Sequence, residues 1–123
     1  MIAAAGSATL GGYGEFSFVE TITANQPLGP DVLVGPGDDA AVLALGPPVV
    51  TSVDMLVEGV HFRRDWTSAR DVGRKAVAVN VSDLEAMGAR ATALVVGFSA
   101  PPDLEVSWVL EFASGLTLSL IHI

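Results

Sequence analysis

The chain has 123 residues, half of them hydrophobic, with no cysteine and a formal net charge of −8. That length holds one domain with a real core but not two full ones. The missing cysteines exclude disulfides and thiolate–metal sites, the acidity argues against nucleic-acid binding, and no apolar run is long enough to span a bilayer. The cytoplasm is the expected compartment.

Residues 1–13 are Ala- and Gly-rich, with no basic residue ahead of the apolar part as a secretory signal would have. They are expected to form a poorly ordered leader. Gly14 to about Asn25 reads as a helix, with Phe16, Val19, Ile22 and Thr23 near one face and Glu15 in the first turn. Val32–Val34 is a short strand, broken by Gly35-Pro36-Gly37. Ala40–Leu45 is a second strand, stopped by Gly46-Pro47-Pro48. Val49–Val60 is a longer strand rich in Val and Thr, with Gly59 at a bulge.

Ser68–Met87 is the strongest helix. Ser68 is its N-cap, Asp71 the acidic N3 residue and Gly88 the C′ stop. Thr92–Phe98 is a strand, and Asp103 is placed to cap a last helix carrying Val106, Val109, Leu110 and Phe112. The order predicts a mixed α/β (α+β) layer domain, a mixed sheet with flanking helices. Trp66 and Trp108 are read as packing residues.

Aspartates mark three apolar stretches: Gly37-Asp38-Asp39-Ala40-Ala41, Ser52-Val53-Asp54-Met55 and Asn80-Val81-Ser82-Asp83. Carboxylates are rarely buried unless paired or bound to metal, and several converging would suit a hard cation such as Mg²⁺. Taken alone, Asp38 and Asp39 are better explained as plain turn residues. Asp54 is less easily explained, because Asp is disfavoured in β-type sequence. Alternation puts it on one face with Ser52 and Leu56. Gly73, Ala76, Asn80 and Asp83 share a helix face, small and polar enough for a ligand or a close-packed backbone. Asp83 lies in the C-terminal half of its helix, where the dipole does not favour it.

Two phosphate motifs are excluded. Gly35-Pro36-Gly37-Asp38-Asp39-Ala40 fits a dinucleotide fingerprint, but the helix that it needs has no room before Gly46. No Gly-x-x-x-x-Gly-Lys-Ser/Thr loop exists. All six basic residues (Arg63, Arg64, Arg70, Arg74, Lys75 and Arg90) fall in one middle stretch, while residues 1–62 hold seven acids and no Lys or Arg. They form either a solvated face or partners for a substrate phosphate.

GEFSFV at 14–19, GPGDDAAVL at 35–43, SVDMLVEGVHF at 52–62 and GRKAVAVNVSDLEAMGA at 73–89 together resemble thiamine-monophosphate kinase, of the aminoimidazole-ribonucleotide synthetase-like superfamily. The resemblance covers about residues 14–116. It implies the amino-terminal, ATP- and Mg²⁺-binding half of a two-domain enzyme that dimerises through its sheet. The implied reaction is phosphorylation of thiamine monophosphate by ATP to thiamine diphosphate.

By position, Asp39, Asp54 and Asp83 match metal-binding aspartates, and Ser52 matches a residue at the same cluster. His61 matches a contact to the substrate phosphate. Val53 stands where the family usually has Thr, so only its backbone carbonyl remains for the metal; Asp38 and Asn80 are additional candidates. No general base is expected. The family continues into a Gly-Gly-Asp segment and a carboxy-terminal domain, whereas residues 117–123 read as an atypical tail. A truncated or frame-shifted product with little turnover is therefore expected. The alternatives are a superfamily relative (selenophosphate synthetase or hydrogenase-maturation type) and a non-catalytic Mg²⁺- or nucleotide-binding dimerisation module.

Overall fold

The structure, a computed structural model, describes residues 8–36 and 40–121. The element order is α1 (Leu10–Tyr13), α2 (Glu15–Thr23), β1 (Val32–Val34), β2 (Val42–Leu43), α3 (Ala69–Ala86) and α4 (Val106–Leu120). β1 and β2 form an antiparallel pair with Val32 opposite Leu43 and Val34 opposite Val42, the register slipping between them. The class is the expected mixed α/β with flanking helices, and among the described residues the sheet is this one pair.

α3 is delimited by its own sequence. Ser68 Oγ accepts the Asp71 amide at 3.2 Å and donates to the Asp71 carboxylate at 2.7 Å. At the other end Gly88 has φ +72°. Its amide reaches Glu85 O, and the Ala89 amide reaches Leu84 O, both at 2.9 Å. This is the Schellman closure that a C′ glycine permits, because glycine enters the left-handed region without a Cβ penalty.

The core lies between α3 and α4. Ala69, Val72, Val77, Phe112 and Leu116 form its buried centre. Two glycines let the helices meet backbone to backbone: a Cβ on Gly73 would lie 2.2 Å from Phe112 O, and one on Gly115 would lie 2.1 Å from Arg70 O. Gly73 therefore faces α4, which decides for the close-packed reading at that position. Aromatic rings extend the core outward. Phe62 stacks on Trp108 with centroids 6.3 Å apart, Trp108 on Phe112 at 5.9 Å, Phe112 meets Phe98 at 5.7 Å, and Phe98 meets Phe18 at 5.8 Å.

Several expectations are corrected. Residues 8–13 are built into the fold: the Leu10 amide donates to Leu104 O and the Gly11 amide to Pro102 O, both at 2.9 Å. The Val106 amide donates to Ala8 O at 2.9 Å. That backbone contact satisfies a free amide at the start of α4, where Glu105 rather than Asp103 is the N-cap and no side chain caps. α4 continues through Leu120, so residues 117–120 extend the helix. α2 turns Phe18 inward and leaves Phe16 90% exposed. Trp66 is 76% exposed, with the Arg63 guanidinium 4.3 Å over its ring, and is not a packing residue.

The segments 49–57 and 92–98 are not ladder strands. Their apolar pattern is β-like, but a strand exists only where a neighbour accepts from its amides and donates to its carbonyls. Among the described residues no neighbouring strand does so along these segments. Leu56, Leu94 and Phe98 pack on the core, while Val53 and Val95 remain 88% and 86% exposed.

Candidate metal and substrate site

The 52–55 segment is held against α3. Asn80 Oδ1 accepts the Asp54 amide at 2.8 Å, and Asn80 Nδ2 donates to Asp54 O at 3.3 Å and to Ala76 O at 2.9 Å. One helical turn on, Ser52 Oγ donates to Asp83 Oδ2 at 3.4 Å. The Asp54 carboxylate takes the following amide, Met55 N–H, on Oδ1 at 3.0 Å. Ser52, Asp54, Asn80 and Asp83 thus come together from two segments more than 25 residues apart in the chain. Ser52 and Asp83 also line an open depression of about 480 Å³ with Val50, Thr51, Ala86 and Met87. A separate one of about 270 Å³, lined by Asp31 and Arg90 among others, contains none of the candidate residues. The first is the relevant one, because Ser52 and Asp83 line it.

The donor set is all oxygen, which suits a hard cation. Among the described residues no group of three or more acids or histidines converges, so this region contributes two carboxylates, those of Asp54 and Asp83. Asp38 and Asp39 lie outside the described residues. The Val53 side chain is exposed.

His61 stands on a separate turn. Its Nδ1 accepts the Val57 amide at 3.0 Å, which puts the proton of a neutral ring on Nε2. The turn closes through the His61 amide on Val57 O and the Gly59 amide on Phe62 O, both at 2.8 Å. Gly59 has φ +82° there, a turn glycine rather than a bulge in a ladder. Lys75 Nζ on α3 donates to His61 O at 2.5 Å. Nothing in the sequence marks Lys75 for this work, since a mid-helix lysine reads as a solvated charge.

Much of the basic stretch is engaged within the fold. Arg63 pairs with Asp65 and Arg64 with Glu58, both at 2.6 Å, and Arg74 lies 3.8 Å from Asp71. The hydrogen bond from Arg63 holds the Asp65 carboxyl below its ordinary range. The hydrogen bond to Glu58 raises Arg64 above its own. For these three arginines the reading as a solvated face with local pairs fits better than direct phosphate contact.

The family model described as AIR synthase related protein, N-terminal domain, matches residues 37–120. The chain belongs to this family. As an AIR synthase related domain it resembles the amino-terminal region of thiamine-monophosphate kinase. It is 47% identical over 111 residues to the thiamine-monophosphate kinase of Mycobacterium tuberculosis, covering 89% of this chain and 33% of that one. It is 40% identical over 115 residues to that of Corynebacterium glutamicum, covering 91% and 33%. With the Bacillus subtilis kinase it shares 39% over 104 residues, covering 83% and 32%. The domain thus spans about a third of the length of these relatives. No solved structure matches it significantly.

Proposed function

We propose that this chain is the cation- and nucleotide-handling domain of a kinase that transfers the γ-phosphoryl group of ATP to thiamine monophosphate, giving thiamine diphosphate. The observation that carries the reading is the docking of Ser52–Asp54 on Asn80 and Asp83 of α3. It brings the oxygen donors of two separate stretches to one place, in a chain whose relatives are named for this activity.

Asp39, Ser52, Asp54, Asp83 and the backbone carbonyl of Val53 would hold Mg²⁺. The bound metal would supply charge neutralisation at the phosphate oxygens, the main requirement of phosphoryl transfer alongside in-line positioning. The acceptor is a phosphate monoester, whose second pKa is about 6. It is therefore largely a dianion at neutral pH and needs no general base. His61, with Nδ1 occupied by the Val57 amide, offers Nε2–H to a substrate phosphate oxygen. Assembly as a homodimer belongs to the same proposal and is supported by the exposed apolar residues of segments 49–57 and 92–98. So does a cytoplasmic location; among the described residues no helix is long and apolar enough to cross a membrane.

The test is thiamine diphosphate formation from ATP, Mg²⁺ and thiamine monophosphate. It is run on this chain alone and on this chain joined to the remaining two thirds of a relative. Product from the joined protein that disappears in Asp54→Asn and Asp83→Asn supports the reading. A joined protein that folds and makes no product overturns it.

A further inference from the structure

We propose that Asn80 is a positioning residue: its carboxamide locks the Asp54 backbone onto α3 and so fixes where the Asp54 carboxylate stands, without itself touching a cation or nucleotide. The inference rests on the reading of Asp54 as a cation ligand. Its geometry is independent of that reading.

Both Nδ2 protons of Asn80 are used, on Asp54 O and Ala76 O, and Oδ1 takes the Asp54 amide. This fixes the orientation of the amide, since the flipped group would set N–H against N–H and oxygen against two carbonyls. A side chain so engaged is a poor candidate for a ligand. It instead pairs with both the N–H and the C=O of one residue, as a neighbouring strand would. That matters here because the 49–57 segment has no ladder partner among the described residues. Near Asp54 its other polar tie to α3 is the longer Ser52–Asp83 contact at 3.4 Å. Leu56, packed on the core, anchors the segment further on. With the backbone at Asp54 fixed, the Met55 amide sets the carboxylate rotamer through Oδ1. The chain of control runs from α3 through Asn80 to the Asp54 backbone, and from there to the Asp54 oxygens.

Two substitutions separate a positioning role from a ligand role. Asn80→Asp keeps the shape and adds a carboxylate, so a ligand at this position would bind a divalent cation as well or better. A positioning residue would fail, because an oxygen then faces the carbonyls of Asp54 and Ala76. Asn80→Ala removes the contact altogether. On the 123-residue chain, Mn²⁺ binding is measured by electron paramagnetic resonance and exchange of the Asp54 amide by NMR. The far-UV helix signal and the amides of Val72 and Val109 report that the helix pair is intact. Both variants are expected to weaken Mn²⁺ binding about 10- to 100-fold, the usual cost of removing a group that orients a metal ligand. In Asn80→Ala the Asp54 amide is expected to exchange about fivefold faster or more, as loss of an ordinary hydrogen bond implies. Undiminished Mn²⁺ binding in Asn80→Asp, or unchanged Asp54 exchange in Asn80→Ala, overturns the proposal. If the unsubstituted chain binds no Mn²⁺, the cation reading fails by itself and the exchange measurement still decides the role of Asn80.

Discussion

The α3–α4 pair and the 49–57 and 92–98 segments are both rich in apolar residues, yet only the first is dry. Val72 and Val109 are each 1% exposed, whereas Val53 and Val95 are 88% and 86% exposed. A helix satisfies its backbone hydrogen bonds internally and needs only one partner face to bury its stripe. A strand needs neighbours on its edges and a cover on its face. The helical half of the domain therefore completes itself within these residues, while the extended half is held by contacts to α3 and the core.

The largest effect should come from filling the helix crossing. Gly115→Ala and Gly73→Ala each place a methyl near 2 Å from a carbonyl of the facing helix. The helices must separate, and the expected loss is about 3 kcal/mol of stability, read from the urea midpoint. A loss under about 0.5 kcal/mol, the range of ordinary surface changes, would mean that the pair is not closely seated. Next, Val72→Ala or Val109→Ala should cost about 2 kcal/mol through lost burial and the cavity left behind. The same change at Val95 should stay within about 0.5 kcal/mol. Equal costs at the two kinds of site would erase the contrast.

A smaller, local effect is expected at the tie between the halves. Lys75→Met keeps the aliphatic stem but removes the ammonium from His61 O. Global stability should fall by less than about 1 kcal/mol, while the amides of Gly59 and His61 lose exchange protection. Unchanged protection would show that the 57–62 turn holds itself. The smallest effect concerns Asp65, whose folded-state carboxyl is held low by Arg63. The lowered value means that its contribution is present above the ordinary carboxylate range and fades as pH falls through the folded-state value. Asp65→Asn should therefore lower stability slightly and by a constant amount near neutrality, and the difference should vanish as pH falls through the carboxylate range. A difference that grew above neutral pH would contradict this assignment.

What could be read from the sequence followed from local chemistry. α3 begins after Ser68 and ends before Gly88, because a cap and a left-handed glycine act within one turn. Asp54 looked misplaced in β-type sequence, and the structure puts it beside Asn80. Other features depended on distant partners. The Leu10–Leu104 and Ala8–Val106 contacts that make residues 8–13 part of the fold join segments more than 90 residues apart. Periodicity put Phe16 on the apolar face of α2, but it is Phe18 that turns inward, because that depends on Phe98. Trp66 read as core because it is large and apolar, but Arg63 covers its ring at the surface.

The sequence alone determined the mixed class, the bounds of α3 and the family, since each is written in residues close together or in the order of short motifs. Tertiary structure alone decided that Gly73 serves the helix crossing, that Lys75 ties down the His61 turn, and that Asn80 meets the Asp54 backbone. Those roles depend on which backbone arrives opposite a side chain, and that is set by packing across the chain.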